Sequence, residues 1–358
     1  MIKDLDIQVI KRPLTFRNPA QTSRDVLLEK PTWFVVAQNA QGCVGIGECS
    51  LIPGLSPEHP LRAQRALNEL ASGNALDPNK MTAQYPAVKF AAEMALVDLL
   101  GGGDRTLFPS PFTAGEPITI NGLVWMDDFS AMLAQVESLL DQGFKTIKVK
   151  VGQHDFKGEC EFLEAVRKLA PSSQFSLRLD ANGAFDGDSF GAISKKLDRL
   201  SNFSPHSLEQ PIRPGQWDRL AQICSSSPVP IALDEELIGV NDSKIRQGLL
   251  AWIKPAYIVL KPSLLGGFAE SGDWIDCARE ANVGWWITSA LESNIGLNAI
   301  AQWTADALID TPPEDRLPQG LGTGGLFTNN IPSPLCIADG TLRLLDNPQA
   351  WDTNTILK

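Results

Sequence analysis

The chain has 358 residues, 43% of them hydrophobic and 20% charged, enough for one large or two ordinary domains with a self-sufficient core. Its 42 acidic residues against 31 Lys and Arg give a formal net charge of −11, which disfavours nucleic acid and anionic membranes as partners. A small anionic substrate remains compatible if a few lysines concentrate their field within a pocket.

The opening MIKDLDIQVI carries charges at Lys3, Asp4 and Asp6 where a signal peptide would be apolar, and the C-terminal TILK has no lipidation signal. No apolar run approaches the ~18 residues of a transmembrane helix. Six cysteines, at 43, 49, 160, 224, 277 and 336, form no C-x-x-C pair, so neither a zinc ribbon nor a redox motif is present. These features predict a soluble cytoplasmic protein.

Over the first ~115 residues, Asp4–Leu14 alternates weakly, and Thr32–Asn39 and Gly42–Glu48 flank a short turn, predicting an antiparallel hairpin. Helical patterns follow at Leu61–Ala71 and Ala87–Leu100, the second stopped by Gly101-Gly102-Gly103. Pro109–Pro117 reads as a linker. Residues 1–115 are thus an α+β unit.

Beyond residue 118 short strands alternate with amphipathic helices. The strands are predicted at Ile118–Leu123, Thr146–Val151, Phe175–Ala181, Ser207–Gln210, Ile231–Asp234, Tyr257–Lys261 and Trp285–Ser289. Helices are predicted between them, at Asp128–Gln142, Phe156–Ala170, Ser189–Phe203 and Phe268–Ala281 among others. The strand starts recur every 24 to 32 residues, one βα unit each, over about 210 residues. Seven or eight such units close into a TIM-like β/α barrel. An open doubly wound sheet would need a phosphate-binding glycine loop after an early strand, and none follows one. Gly320-Leu-Gly322-Thr-Gly-Gly325 has the letters of that loop, but it comes last and is followed by a Pro-containing stretch that cannot open a helix. It predicts a close-packed loop at the barrel mouth.

Interior barrel strands should be apolar, because a buried charge is costly unless paired or ligated. This chain breaks that rule on five successive strands. Lys148 and Lys150 share one face of T-I-K-V-K-V, and Arg178 and Asp180 share one face of L-R-L-D. Glu209, Asp234 and Lys261 follow, at intervals from Lys150 of 30, 29, 25 and 27 residues. Their common register puts them at the C-terminal ends of consecutive strands, where barrel enzymes carry their chemistry. A single such charge could equally be a satisfied surface residue; five in register are not. Three carboxylates with no nearby imidazole or thiol select a hard dication, Mg²⁺ before Mn²⁺. Such a metal with flanking lysines suits removal of a proton α to a carboxylate. A free lysine titrates too high for this task; a second lysine and a dication beside it both lower its pKa.

These motifs, K-V-K, L-R-L-D-A-N-G-A-F, L-E-Q-P, A-L-D-E, L-K-P-S-L-L-G-G and S-A-L-E-S-N-I-G, together resemble the muconate-lactonizing-enzyme subgroup of the enolase superfamily, and within it the o-succinylbenzoate synthase family. The resemblance spans essentially the whole chain. It implies a (β/α)7β barrel over 116–330, an α+β cap over 1–115, and a tail, 331–358, that returns to the cap. It implies Asp180, Glu209 and Asp234 as Mg²⁺ ligands, with Asn182 and Glu235 behind them. Lys150 would be the base, Lys261 a cation on the opposite face, and Lys148 the residue that holds the substrate carboxylate and depresses the pKa of Lys150. Ser289, Glu292, Ser293 and Asn294 lie where the family lines the pocket for a succinyl arm, and a helix starting near Ser293 would present its N-terminus to an anion or simply be capped there. Arg178 would add positive field near the substrate or pair with a neighbouring barrel acid. Thr15–Asp25, with Arg17 and Arg24, and Cys49–Glu58 are the expected lid loops.

The implied reaction is loss of water from a succinyl-bearing cyclohexadiene carboxylate in menaquinone biosynthesis. A His-based dyad is absent, since the last histidine is His206. The alternative is a dipeptide epimerase or N-acylamino acid racemase. Dipeptide epimerases carry an Asp-x-Asp at the eighth strand end, where this chain reads Gly-Leu-Gly-Thr. A non-catalytic descendant would not keep all three acids and three lysines. The oligomeric state is not encoded in any pattern found.

Overall fold

The computed structural model describes residues 2–21, 26–73, 75–81, 83–345 and 351–357. Near the N-terminus, strands Asp6–Lys11, Thr32–Gln38 and Val44–Ser50 form an antiparallel sheet, with Phe34 opposite Glu48. The hairpin is as predicted, and Asn39 Oδ1 closes its turn by accepting from the amides of Gln41 and Cys43. Thr32–Gln38 is buried on both faces. Trp33, Val35 and Ala37 pack with residues of helices Pro60–Ser72 and Pro86–Leu100, while Phe34 and Val36 join the core of the barrel. The two-residue alternation of a strand makes this division. Gly45 and Gly47 let helix Pro86–Leu100 lie directly on the sheet: a Cβ on Gly47 would sit 1.8 Å from Ala91 O.

Seven parallel strands, Gly122–Val124, Thr146–Lys150, Ser176–Asp180, Ser207–Glu209, Ile231–Leu233, Tyr257–Leu260 and Gly284–Ile287, pair in sequence order. The two edges of this sheet are joined through residues 319–320. Ile120 bridges Gln319 and Thr288 bridges Gly320, both in parallel, so a minimal eighth strand closes the ring. Gln319 reinforces it by accepting the Ile287 amide on its side-chain oxygen at 2.7 Å. The glycine-rich stretch therefore ends a barrel and opens no helix. The predicted helices are present as Phe129–Asp141, Phe156–Leu169, Phe190–Ser201 and Phe268–Glu280, joined by Trp217–Ser226, Ser243–Ile253 and Asn294–Ala307.

Two predicted segments differ. Ile118–Leu123 is not one strand. Ile118–Thr119 pairs antiparallel with Thr341–Leu344 of a C-terminal hairpin, and the barrel strand begins only at Gly122. The partner lies more than 200 residues away, so local periodicity could not reveal the break. Thr15–Asp25 is not wholly a loop either: Leu14–Gln21 is a strand paired with Val26–Lys30, and Phe16 packs against Phe327 with ring centroids 4.7 Å apart and the rings tilted by 47°. Residues 22–25, including Arg24, lie outside the described residues. Arg17 reaches Gly325 O at 3.1 Å. The tail is tied to the N-terminal sheet by Arg12, which donates to Thr355 O and Asn329 O.

No helix among the described residues is long and apolar enough to cross a membrane.

Candidate active site

A cavity of about 340 Å³ opens at the C-terminal end of the barrel. Lys148, Lys150, Asp180, Asn182, Glu235 and Lys261 line its charged floor. Ile52, Leu55, Trp125, Leu291 and Leu326 line apolar parts of its wall. The expected lid Cys49–Glu58 thus contributes Ile52 and Leu55. Parallel pairing aligns Lys150 with Asp180 and Asp180 with Glu209, which puts these side chains shoulder to shoulder inside the ring. Asp234 and Lys261 stand one residue beyond their strands.

Asp180, Glu209 and Asp234 are all buried, at 2%, 1% and 2% exposure. Lys148 Nζ lies 2.6 Å from Glu209 Oε1 and 2.9 Å from Asp180 Oδ2, and Lys261 pairs with Asp234 Oδ2. Lys150 differs. Its Nζ donates to a neutral acceptor, Asn182 Oδ1, at 2.6 Å. Asn182 in turn donates to Glu235 Oε1 at 3.1 Å, and φ is +41° at Asn182, a strained left-handed conformation of the kind found at functional sites.

The electrostatics follow from these partners. Burial disfavours each ammonium. For Lys148 the carboxylates of Asp180 and Glu209 outweigh it, and for Lys261 those of Asp234 and Glu209 do, so both pKa values are raised. For Lys150 burial prevails, helped by Lys148 and Lys261, and its pKa is lowered. Burial and the neighbouring Asp180 push Glu209 up, whereas Lys148 and Lys150 overcome burial at Asp180 and hold it down. Three buried oxygen donors on adjacent strands fit a hard dication. As they stand, they are drawn onto the lysines, and among the described residues no three acidic, imidazole or thiol groups gather around one point.

The remaining predicted residues separate into those at the cavity and those behind it. Ser289 lines it and shares a hydrogen bond of 2.6 Å with Thr323, another lining residue. Glu292, Ser293 and Asn294 lie behind the wall. Glu292 bonds Ser263 and the Ala290 amide, Ser293 bonds Glu48, and Asn294 bonds Asn330 and Ile331. Ser293 is the N-cap of helix Asn294–Ala307. Arg178 lies beneath the floor, stacked 3.9 Å from the Trp286 ring, with its Nη1 on Asn121 Oδ1 and Pro318 O. Among the described residues it forms no ion pair with a barrel acid.

Gln210 was not singled out by its sequence, although it stands inside the L-E-Q-P motif. Fully buried, it accepts the amides of Asp234 and Glu236 on Oε1, both at 3.2 Å, and so ties one strand end to the next.

A closed β/α barrel with acids and lysines gathered at the C-terminal ends of consecutive strands has the architecture of a barrel enzyme. The family model described as Enolase C-terminal domain-like matches residues 131–348, and the chain belongs to that family, the enolase superfamily. It is 44% identical to an o-succinylbenzoate synthase of Desulfotalea psychrophila, over 94% of this chain and 98% of that one. The crystal structure of MenC from the same organism superposes with a TM-score of 0.84 at 41% identity, covering 95% of this chain and all of that one. A dipeptide epimerase from Cytophaga hutchinsonii, solved with Mg and a dipeptide, has the same fold, with a TM-score of 0.80 at 22% identity over 96% of this chain and 94% of that one.

Proposed function

We propose that this chain is an o-succinylbenzoate synthase, a cytoplasmic hydro-lyase of menaquinone biosynthesis. It converts 2-succinyl-6-hydroxy-2,4-cyclohexadiene-1-carboxylate to o-succinylbenzoate and water. The observation that carries this reading over an epimerase is the end of the eighth strand. Gly320, Gly322 and Thr323 line the cavity there and offer no acid to grip an α-ammonium group. The 44% identity to a synthase along nearly the whole chain supports the same choice.

Asp180, Glu209 and Asp234 would hold one Mg²⁺, with Mn²⁺ as a substitute, and Asn182 and Glu235 would orient the floor around them. When bound, the metal neutralises charge that builds on the substrate carboxylate as its α-proton leaves. Binding requires Lys148 and Lys261 to release their carboxylates, which frees both ammoniums for the anionic substrate. Lys150 takes the proton from the ring carbon bearing the carboxylate. It is the base because its partner is a neutral amide and its surroundings favour the uncharged amine. The electron pair left behind expels hydroxide from the adjacent carbon, Lys150 returns the proton to it, and the ring becomes aromatic. Lys261 remains an ammonium and stabilises the flattened ring by its charge. Lys148 holds the carboxylate and keeps Lys150 poised. Ser289 and the neighbouring turn border the succinyl arm.

The test is direct. Purified protein with Mg²⁺ is offered the cyclohexadiene substrate beside a panel of dipeptides and N-succinylamino acids. Dehydration with kcat/KM at least a hundredfold above any epimerisation is the expected result; epimerisation alone would overturn the assignment.

A further inference from the structure

Lys30 ends the strand Val26–Lys30 and is fully buried, outside the catalytic cavity. Its ammonium donates to two consecutive backbone carbonyls of the barrel, Ala290 O and Leu291 O, the second at 2.7 Å. Two carboxylates flank it. Glu48, on strand Val44–Ser50, accepts the amides of Ser293 and Gly296 at 2.8 and 2.9 Å, at the first turn of helix Asn294–Ala307. Glu292 accepts the Ala290 amide at 2.7 Å and Ser263 Oγ at 2.6 Å. Burial disfavours the Lys30 ammonium, while Glu292 and Glu48 favour it. A buried lysine with this surrounding is costly to build and has no partner in the chemistry of the cavity floor.

Its consequence falls on the turn. A trans peptide points its C=O and its N–H in opposite directions. With the carbonyls of Ala290 and Leu291 both drawn to Lys30, the N–H groups of Leu291 and Glu292 point away from it, and neither donates to a protein acceptor among the described residues. Ala290 and Leu291 line the cavity. Leu291 also sits at φ +62°, a conformation that leucine adopts only when its surroundings impose it. Two successive free amides on one side of a turn make a concavity for an anion.

The structure assigns Lys30 as a positioning residue: from the N-terminal unit it locks the two peptide planes whose amides receive the distal carboxylate of the substrate arm. This rests on the proposed reaction, which supplies that carboxylate. Selectivity for the arm is then set by a residue that never touches it.

The probes are o-succinylbenzoate and 2-butanoylbenzoate, which keeps the arm but ends it in a methyl group. Titration calorimetry on the Mg²⁺-loaded protein should show the wild type preferring o-succinylbenzoate at least tenfold. Lys30→Met and Lys30→Gln should reduce that preference below threefold by weakening o-succinylbenzoate alone, and KM should rise more than kcat falls. A folded Lys30→Met protein that retains the preference overturns the inference. If neither variant folds, the wild type decides. With ¹⁵N-labelled Leu and Glu, the amide protons of Leu291 and Glu292 should move downfield with o-succinylbenzoate and not with 2-butanoylbenzoate, and equal shifts reject the idea. Should the wild type bind neither probe, the proposed reaction fails, and the positioning role is judged separately by a crystal structure of Lys30→Met. Rotated peptide planes at 290–292 would support that role, and unchanged planes would refute it.

Discussion

Replacing Lys150 by alanine removes the one floor lysine whose ammonium is not committed to a carboxylate. A positioned general base contributes about 10²–10⁴-fold to rate. The upper part of that range applies because the site holds no stand-in. Lys148 and Lys261 are assigned as cations facing the substrate's charge, and His206 lies beneath the floor, stacked 4.6 Å from Tyr257, with its pKa pushed down to about 4 by burial and Arg178. We therefore expect kcat to fall by about 10³–10⁴, equivalent to about 4–5 kcal/mol at 1.36 kcal/mol per decade. Binding of o-succinylbenzoate should change far less, since Lys148 and Lys261 continue to attract its carboxylate. The assay follows loss of the cyclohexadiene absorbance with saturating Mg²⁺, beside a calorimetric titration with product. A Lys150→Ala enzyme within tenfold of wild-type kcat would show that the base has been misassigned.

Lys261→Arg keeps a permanent cation but cannot give up a proton at neutral pH, so dehydration should persist, reduced by about 10² from misplacement, while any side racemisation disappears. Equal loss of both activities would make Lys261 a titrating partner. Chelation should abolish turnover and Mg²⁺ restore it, and calorimetry should find one Mg²⁺ site that Asp234→Asn removes; turnover undiminished in excess chelator would refute the ligand set. Glu58 borders the lid, accepts the Ala87 amide at 2.6 Å, and is raised by burial to about 7. A raised folded-state value means that its stabilising contribution is complete below about 4.5 and is lost as pH rises through about 7. Over that window the group should cost about 3 kcal/mol of stability. Glu58→Gln should flatten this slope in urea denaturation measured from pH 4.5 to 8; an unchanged slope would locate the titration elsewhere.

The cluster of charges at the cavity floor was legible in one dimension because a strand has a period of two and a βα unit a nearly constant length. Charges at Lys148, Lys150, Asp180, Glu209, Asp234 and Lys261 violate the apolar expectation at regular intervals, and regular violation can be seen without coordinates. The cap hairpin was legible for the same reason, its turn marked by Asn39 and Gly42. What only the tertiary structure decided depends on partners distant in the chain. The break in Ile118–Leu123 is set by residues 341–344, and ring closure by residues 319–320, too short to register as a strand. Which lysine meets a neutral amide and which a carboxylate follows from side-chain reach across neighbouring strands, on which spacing is silent. Glu292, Ser293 and Asn294 were expected at the pocket from the family resemblance alone. Their side chains are tied to Ser263, Glu48 and the C-terminal tail, since a buried polar group must be satisfied by whatever packs against it, and only the fold shows those distant partners.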